Sequence, residues 1–368
     1  MRPLRHVLAY FALAICFVVS IPAHAADKQP VKVFILAGQS NMVGAAQVRV
    51  LEYQAFEGEN QQRYEKFVAA PGEWKERDDV YAKFNDRHGK LTVGYGGSSG
   101  NIGPELDFGF TLGDYLDEPV LLIKTAWGGK TLGRDFRPPS SGLPDRALLD
   151  KQLAGIRKRD PDFPEQKLAD AYGHFYREMI KEVHATLDNR NELFPELEGR
   201  EFEIAGFVWF QGWNEQYVPE FIETYAENLH NLIRDVRKEF GVPNMPFIVG
   251  EFGCDGPSGK YVNQKKLDIR KAQSTVNDLP EFKGNALFVP TTPYWDRKIE
   301  ALYEAQKAAG GQVKRGEITE AQAQAMRDEF HKHGRDKGYH YFGSPQIYCD
   351  MGKAFAEGMI TLLKERQE

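Results

Sequence analysis

Cysteine is scarce in this sequence: there are three in 368 residues. Cys16 lies in an N-terminal leader, which leaves Cys254 and Cys349 as the pair from which the remainder could form a disulfide. Their separation in sequence does not say whether their Cα atoms approach within bonding range, so a bridge and two buried thiols both stay open. No His/Cys cluster has zinc-like spacing, so neither a metal nor another cofactor is implied. Positive charge is not in excess, with 47 Lys and Arg against 53 Asp and Glu for a formal charge of −6. That balance disfavours nucleic acid and anionic membrane surfaces as partners. No fixed-period self-similarity supports a solenoid or propeller. No Pro/Ser/Gly linker divides the chain, so residues 26–368 are expected to form one decorated domain.

Apolar runs of membrane-spanning length are absent as well. The longest, 7–21, follows Arg2 and Arg5 and precedes Ala23-His24-Ala25. It falls short of the ~20 residues that a spanning helix needs. The charged start, short apolar run and small residues at the cleavage positions predict a signal peptide over 1–25, hence a secreted or periplasmic protein with no membrane association after cleavage. Losing Arg2 and Arg5 would take the formal charge from −6 to −8.

What the sequence does contain is five short, continuously apolar runs rich in β-branched residues, at 31–37, 119–126, 204–210, 246–253 and 285–291. Continuous apolarity marks strands buried on both faces, as in a parallel sheet. Helical patterns alternate with them at 105–116, 166–187, 219–240 and 262–277, and a last helix runs over 345–363. The alternation predicts a three-layer α/β/α fold on a mainly parallel, five-stranded sheet. In such folds ligands gather beyond the carboxyl ends of the strands. Three stretches exceed ordinary connections: 46–101, with a hairpin expected from 80–84 and 91–95 around Asp86-Arg87-His88-Gly89; 133–165, Pro-rich and irregular; and 296–334, read as a solvated helical hairpin with Thr319 and Gln322 spaced as a capping box.

The residues just after the strands carry the chemistry. Gly38-Gln39-Ser40-Asn41-Met42 ends the first strand and places a hydroxyl at the sheet edge, either as a nucleophile or as a helix cap. A phosphate-cradling loop would need a Gly-Lys-Ser/Thr ending, and Gly44 is instead followed by Ala45-Ala46. The second strand runs into Trp127-Gly128-Gly129-Lys130-Thr131, whose paired glycines suit either a tight turn or a backbone N–H offered to an oxyanion. The third yields Gln211-Gly212-Trp213-Asn214-Glu215, with amides where a tetrahedral intermediate would need donors. Gln39, Gln211, Trp213 and Glu215 are candidates for substrate binding, and Trp209 reads as a packing residue. Of seven histidines beyond the leader, six fall in polar inserts or helices, so His340, in Asp336-Lys337-Gly338-Tyr339-His340, is the best base by elimination.

In this order, Gly-Gln-Ser-Asn, Gly-Gly, Gln-Gly-x-Asn and a C-terminal histidine resemble the SGNH/GDSL hydrolases, in their sialate O-acetylesterase and plant-type carbohydrate esterase branch. The resemblance covers about residues 31 to 365. It implies a flavodoxin-like fold and an esterase acting on an acylated, chiefly acetylated, carbohydrate. Ser40 would attack the ester, His340 relay the proton, and Ser40 N–H, Gly129 N–H and the Asn214 side chain hold the oxyanion. Gly129 is preferred to Gly128 because Lys130-Thr131 follows it. The family places an aspartate three residues before the histidine, where this chain has Lys337. Asp336, one residue earlier, is therefore the candidate third member, with Glu215 and Glu251 as alternatives and a dyad as the remaining option. A glycan-binding or scaffold protein that kept the fold and lost turnover is the competing class.

Overall fold

A computed structural model describes residues 28–366. The expected signal peptide and Cys16 lie outside them. The architecture is the expected α/β/α sandwich, but its sheet has seven strands where five were expected. In chain order these are β1 (Val31–Gly38), β2 (Val80–Phe84), β3 (Arg87–Lys90), β4 (Val120–Ala126), β5 (Phe202–Phe210), β6 (Phe247–Gly250) and β7 (Ala286–Val289). Across the sheet they run β7-β6-β5-β1-β4-β2-β3. All pair in parallel except β2 with β3.

The two extra strands are the hairpin expected inside the first insert. Its first strand is buried at Val80, Tyr81, Ala82 and Phe84 and pairs directly with β4, so it extends the main sheet instead of standing apart. Its return strand is Arg87–Lys90 and not 91–95, because the chain reverses at Asn85, whose φ of 54° makes a tighter turn.

The apolar runs become strands for the reason read from the sequence. All seven residues of β4 are buried, and β1 has Val33 through Ala37 at 0 % exposure. Helices cover both faces. On one side lie α1 (Glu105–Tyr115) and the last helix, α6 (Pro345–Glu365); on the other α2 (His174–Asp188), α3 (Tyr225–Glu239) and α4 (Gln264–Ser274). Phe34 of β1 meets Phe108 of α1 edge to face at 6.0 Å, and Phe207 and Phe247 stack across β5 and β6 at 4.7 Å. Each such fully buried ring contributes roughly 1.5–3 kcal/mol over an exposed one. Between α4 and α6, α5 (Arg297–Lys314) and a shorter helix, Glu320–His331, form the expected helical hairpin, with Thr319 and Gln322 making a reciprocal capping box.

Three expectations about helices are corrected, the first being that the 219–240 pattern divides at Thr224 into Pro219–Glu223 and α3. The pattern over 166–187 divides into Glu165–Ala171 and α2 at Gly173, which takes φ 70° and where a Cβ would stand 2.8 Å from the Arg137 carbonyl oxygen. The 133–165 insert is not wholly irregular: Asp145 accepts from Leu148 N at 2.8 Å and caps a helix over Arg146–Arg157. Leu149 and Leu153 of that helix pack on Leu168 and Tyr172 as a satellite cluster. Both cysteines among the described residues, Cys254 and Cys349, are free and buried, which settles the pairing question against a bridge. Among the described residues no helix is long and apolar enough to cross a membrane, and no group of His, Cys, Asp and Glu could hold a metal ion.

Candidate active site

β1 is central, and the chain crosses from β4 on one side of it to β5 on the other. The crevice therefore opens beyond its carboxyl end, where the order reverses. Gly38 closes β1 against β5 so tightly that any side chain there would collide with the Phe210 carbonyl. Ser40 opens a one-turn helix, Ser40–Val43, at this edge and is half-buried. Beneath it, buried Lys124 donates to the Val43 carbonyl at 2.9 Å and to Glu105 at 2.8 Å, which fixes the far end of that turn. Burial lowers the pKa of Lys124, while Glu105 opposes the shift.

The Gly-Gly loop after β4 runs alongside. A Cβ on Gly128 would sit 3.9 Å from that of Ser40, while Gly129, at φ 74°, forms the open apex of the turn. The loop after β5 lies opposite, and Gln39 joins it to β1. Its Nε2 donates to Asn214 Oδ1 at 3.2 Å, and its Oε1 accepts from Gly212 N at 3.0 Å. With Oδ1 engaged, the donor end of Asn214, Nδ2, is left for the crevice.

Glu215 ties the β4 and β5 loops together. Fully buried, it accepts from Leu132 N at 2.5 Å, Gly133 N at 2.9 Å and Gln211 Nε2 at 2.6 Å. Burial pushes its pKa up to about 8 against the pull of those donors. Gln211 also donates to the Lys130 carbonyl and accepts from the Tyr225 hydroxyl, both at 3.0 Å. Gln39, Gln211 and Glu215 are thus at most 2 % exposed, with their polar atoms committed to protein partners. Of the four residues expected to meet substrate, only half-buried Trp213 keeps an accessible face. Trp209 is fully buried and donates to Tyr225, as a packing residue would.

The C-terminal loop supplies His340. Asp336 Oδ2 accepts from His340 Nδ1 at 3.0 Å, and its Oδ1 accepts from Lys337 N at 2.7 Å. Burial raises the pKa of Asp336, but these bonds and the nearby charges of His340 and Lys337 outweigh it, and the carboxyl sits below its ordinary value. Four residues of separation suffice because the chain turns back between them, His340 N donating to the Lys337 carbonyl at 2.9 Å; the next residues, Tyr341 and Phe342, take φ of 48° and 61°. That strained backbone persists because both rings are buried and the Tyr341 hydroxyl accepts from Gly253 N at 3.0 Å. The other carboxylate considered for the third position, Glu251, is engaged elsewhere, by the backbone N–H groups of Thr291 and Thr292 at 2.8 and 2.9 Å.

Sequence reasoning missed Asn41. Its Nδ2 donates to the Tyr339 carbonyl at 3.1 Å, and its Oδ1 accepts from the Tyr348 hydroxyl at 2.9 Å. One hydrogen bond therefore joins the residue after Ser40 to the residue before His340. Cys254 donates to the same carbonyl at 3.3 Å, and burial pushes its thiol up to about 12, which makes it a neutral prop and not a nucleophile. The available signal was position: Asn41 directly follows the candidate nucleophile.

A family model described as carbohydrate esterase, sialic acid-specific acetylesterase, matches residues 30–283. Ser40, Gly129 and Asn214 fall inside the match, and the Asp336–His340 loop lies beyond it. No curated protein matches the chain. Among solved structures, a protein from Arabidopsis thaliana is 18% identical, with 82% of this chain and 99% of that one covered at a TM-score of 0.44. A carbohydrate acetylesterase from Xanthomonas citri is 15% identical over 70% of this chain and 49% of its own, at 0.42. The protein NanS is 12% identical over 72% of this chain and 78% of its own, at 0.38.

Proposed function

This chain belongs to the carbohydrate esterase, sialic acid-specific acetylesterase family, and from that premise we propose that it is an exported serine esterase that removes acetyl groups from a carbohydrate through an acyl-enzyme. Ser40 Oγ attacks the acetyl carbonyl while His340 Nε2 takes its proton. Asp336 holds the Nδ1–H tautomer and stabilises the imidazolium that forms. The tetrahedral oxyanion is met by Ser40 N–H, Gly129 N–H and Asn214 Nδ2. The ester C–O bond then breaks, and the imidazolium returns the proton to the departing sugar oxygen. Water attacks the acetyl-serine with His340 as base, acetate leaves, and Ser40 regains its hydrogen.

The observation that carries this reading is the chain of contacts from Asp336 to His340 at 3.0 Å and, through Tyr339, from Asn41 beside Ser40 at 3.1 Å. It brings the Ser40 and His340 loops together at the carboxyl edge of β1, which supports this reading. Export rests on the charged, apolar and small-residue pattern of 1–25, which supports a secreted or periplasmic location. Acetate release from acetylated xylan, acetylated pectin and O-acetylated sialic acid tests the activity. Turnover of at least one substrate by the wild type, lost in Ser40→Ala, is expected. No release from any substrate, and none from p-nitrophenyl acetate, would favour a glycan-binding protein of the same fold.

A further inference from the structure

Beside the histidine loop lies a cavity of about 170 Å³ whose lining combines aromatic rings with charged side chains. Trp213, Tyr261, Trp295, Tyr303 and Tyr339 line it, and Lys337 stands among them. Two of these rings adjoin the proposed machinery in sequence: Trp213 precedes Asn214, and Tyr339 precedes His340. Their centroids lie 5.3 Å apart, so the two rings pack as one wall next to Asn214 and His340. A larger hollow of about 500 Å³ runs between Lys32, Glu118 and Arg366 at the amino edge of the sheet, away from the site.

The rings are held by charged residues of the same lining and by Phe252. Lys266, 5 % exposed, is paired with Asp255 and stands 4.9 Å from the Trp213 ring centroid, while Phe252 meets that ring edge-on at 5.7 Å. Trp295 donates to Glu300 at 3.1 Å, and the Tyr261 hydroxyl donates to Glu304 at 3.2 Å. Lys337 stands where the family pattern has an acid, and among the described residues no carboxylate pairs with it. A lining of aromatic faces and hydrogen-bonding side chains suits a ligand with an apolar face and a polar rim. A pyranose has that shape: its axial C–H bonds carry partial positive charge and pack on the negative face of an aromatic ring, while its hydroxyls point outward.

We propose that this cavity is a sugar subsite, which seats a pyranose ring of the acylated carbohydrate beside the scissile ester and so sets preference for sugar esters over simple ones. The inference rests on the esterase reading. Binding energy gathered there holds the ester against Ser40, so its loss appears for the sugar substrate and not for a small ester that never reaches the cavity.

The test compares wild type, Tyr261→Ala and Tyr303→Leu in kcat/KM for p-nitrophenyl acetate and for whichever of acetylated xylan, acetylated pectin and O-acetylated sialic acid the wild type deacetylates fastest. Tyr261 is 36% exposed, so its replacement leaves the fold intact, and Tyr261→Phe, which keeps the ring, serves as the conservative control. The ratio of sugar-ester to p-nitrophenyl acetate efficiency is expected to fall at least ~10-fold in both truncated variants, chiefly through KM, and to be kept by Tyr261→Phe. An unchanged ratio in both truncated variants would overturn the subsite while the esterase reading stands. So would a wild type that hydrolyses p-nitrophenyl acetate and none of the three carbohydrates. A wild type inactive on every ester would overturn the esterase reading, and the subsite with it.

Discussion

Asp336 and His340 are four residues apart, and the carboxylate reaches the imidazole because the chain turns back between them, His340 N donating to the Lys337 carbonyl at 2.9 Å. If that carboxylate sets the tautomer, Asp336→Asn should keep the fold and lower kcat by up to ~10⁴. Measuring kcat/KM against pH for the variant checks this, since losing the charge should also lower the apparent pKa of the base. A profile like that of the wild type would leave a Ser40–His340 dyad. Asn214 is proposed to contribute differently, its free amide end meeting charge that develops only on the way to the tetrahedral intermediate. Asn214→Ala should therefore cost ~10² or more in kcat with KM little changed. A raised KM with kcat intact would instead make Asn214 a ground-state binding residue.

The loops after β4 and β5 act as a unit because Glu215 is buried between them with three donors aimed at it. With its pKa up at about 8, the folded protein binds this proton more tightly than the unfolded chain, so stability falls as pH rises from the ordinary carboxyl range through 8. Glu215→Gln should flatten that slope in melting temperature between about pH 5 and 8, where the wild type loses on the order of 5 °C. A slope as steep in the variant would move its origin to another group. Strands and helices around these loops were legible because burial on both faces writes itself as continuous apolarity. The loops' polar residues were legible only as a set. Gln39, Gln211 and Glu215 follow strands as substrate-facing residues would, and their types do not reveal that they satisfy one another. Asn41 was hidden for the same reason, since its partner carbonyl belongs to Tyr339, almost three hundred residues away. The extra strand pair was foreseen as a hairpin, but its place in the main sheet depends on pairing across the chain that periodicity does not encode.

At the scale of the whole molecule, the sheet order makes one point, the carboxyl end of β1, the meeting place of four loops. Close approach there leaves no tolerance: Gly38→Ala would drive a methyl into the Phe210 carbonyl and part β1 from β5. A loss of several kcal/mol, read as a melting temperature at least ~5 °C lower, is expected together with lost activity. A variant as stable as the wild type would mean the strand ends can separate, and that the crevice is not held as tightly as the geometry requires. The central claim is that Ser40 is the group acylated at this meeting point. It is tested most directly by treating the protein with a serine-directed organophosphate, locating the adduct by peptide mass spectrometry, and following p-nitrophenyl acetate turnover in parallel. The account predicts one adduct on Ser40 with activity lost in step, and an unlabelled, inactive but folded Ser40→Ala; an adduct on another serine with Ser40 unmodified, or full turnover by Ser40→Ala, would contradict it.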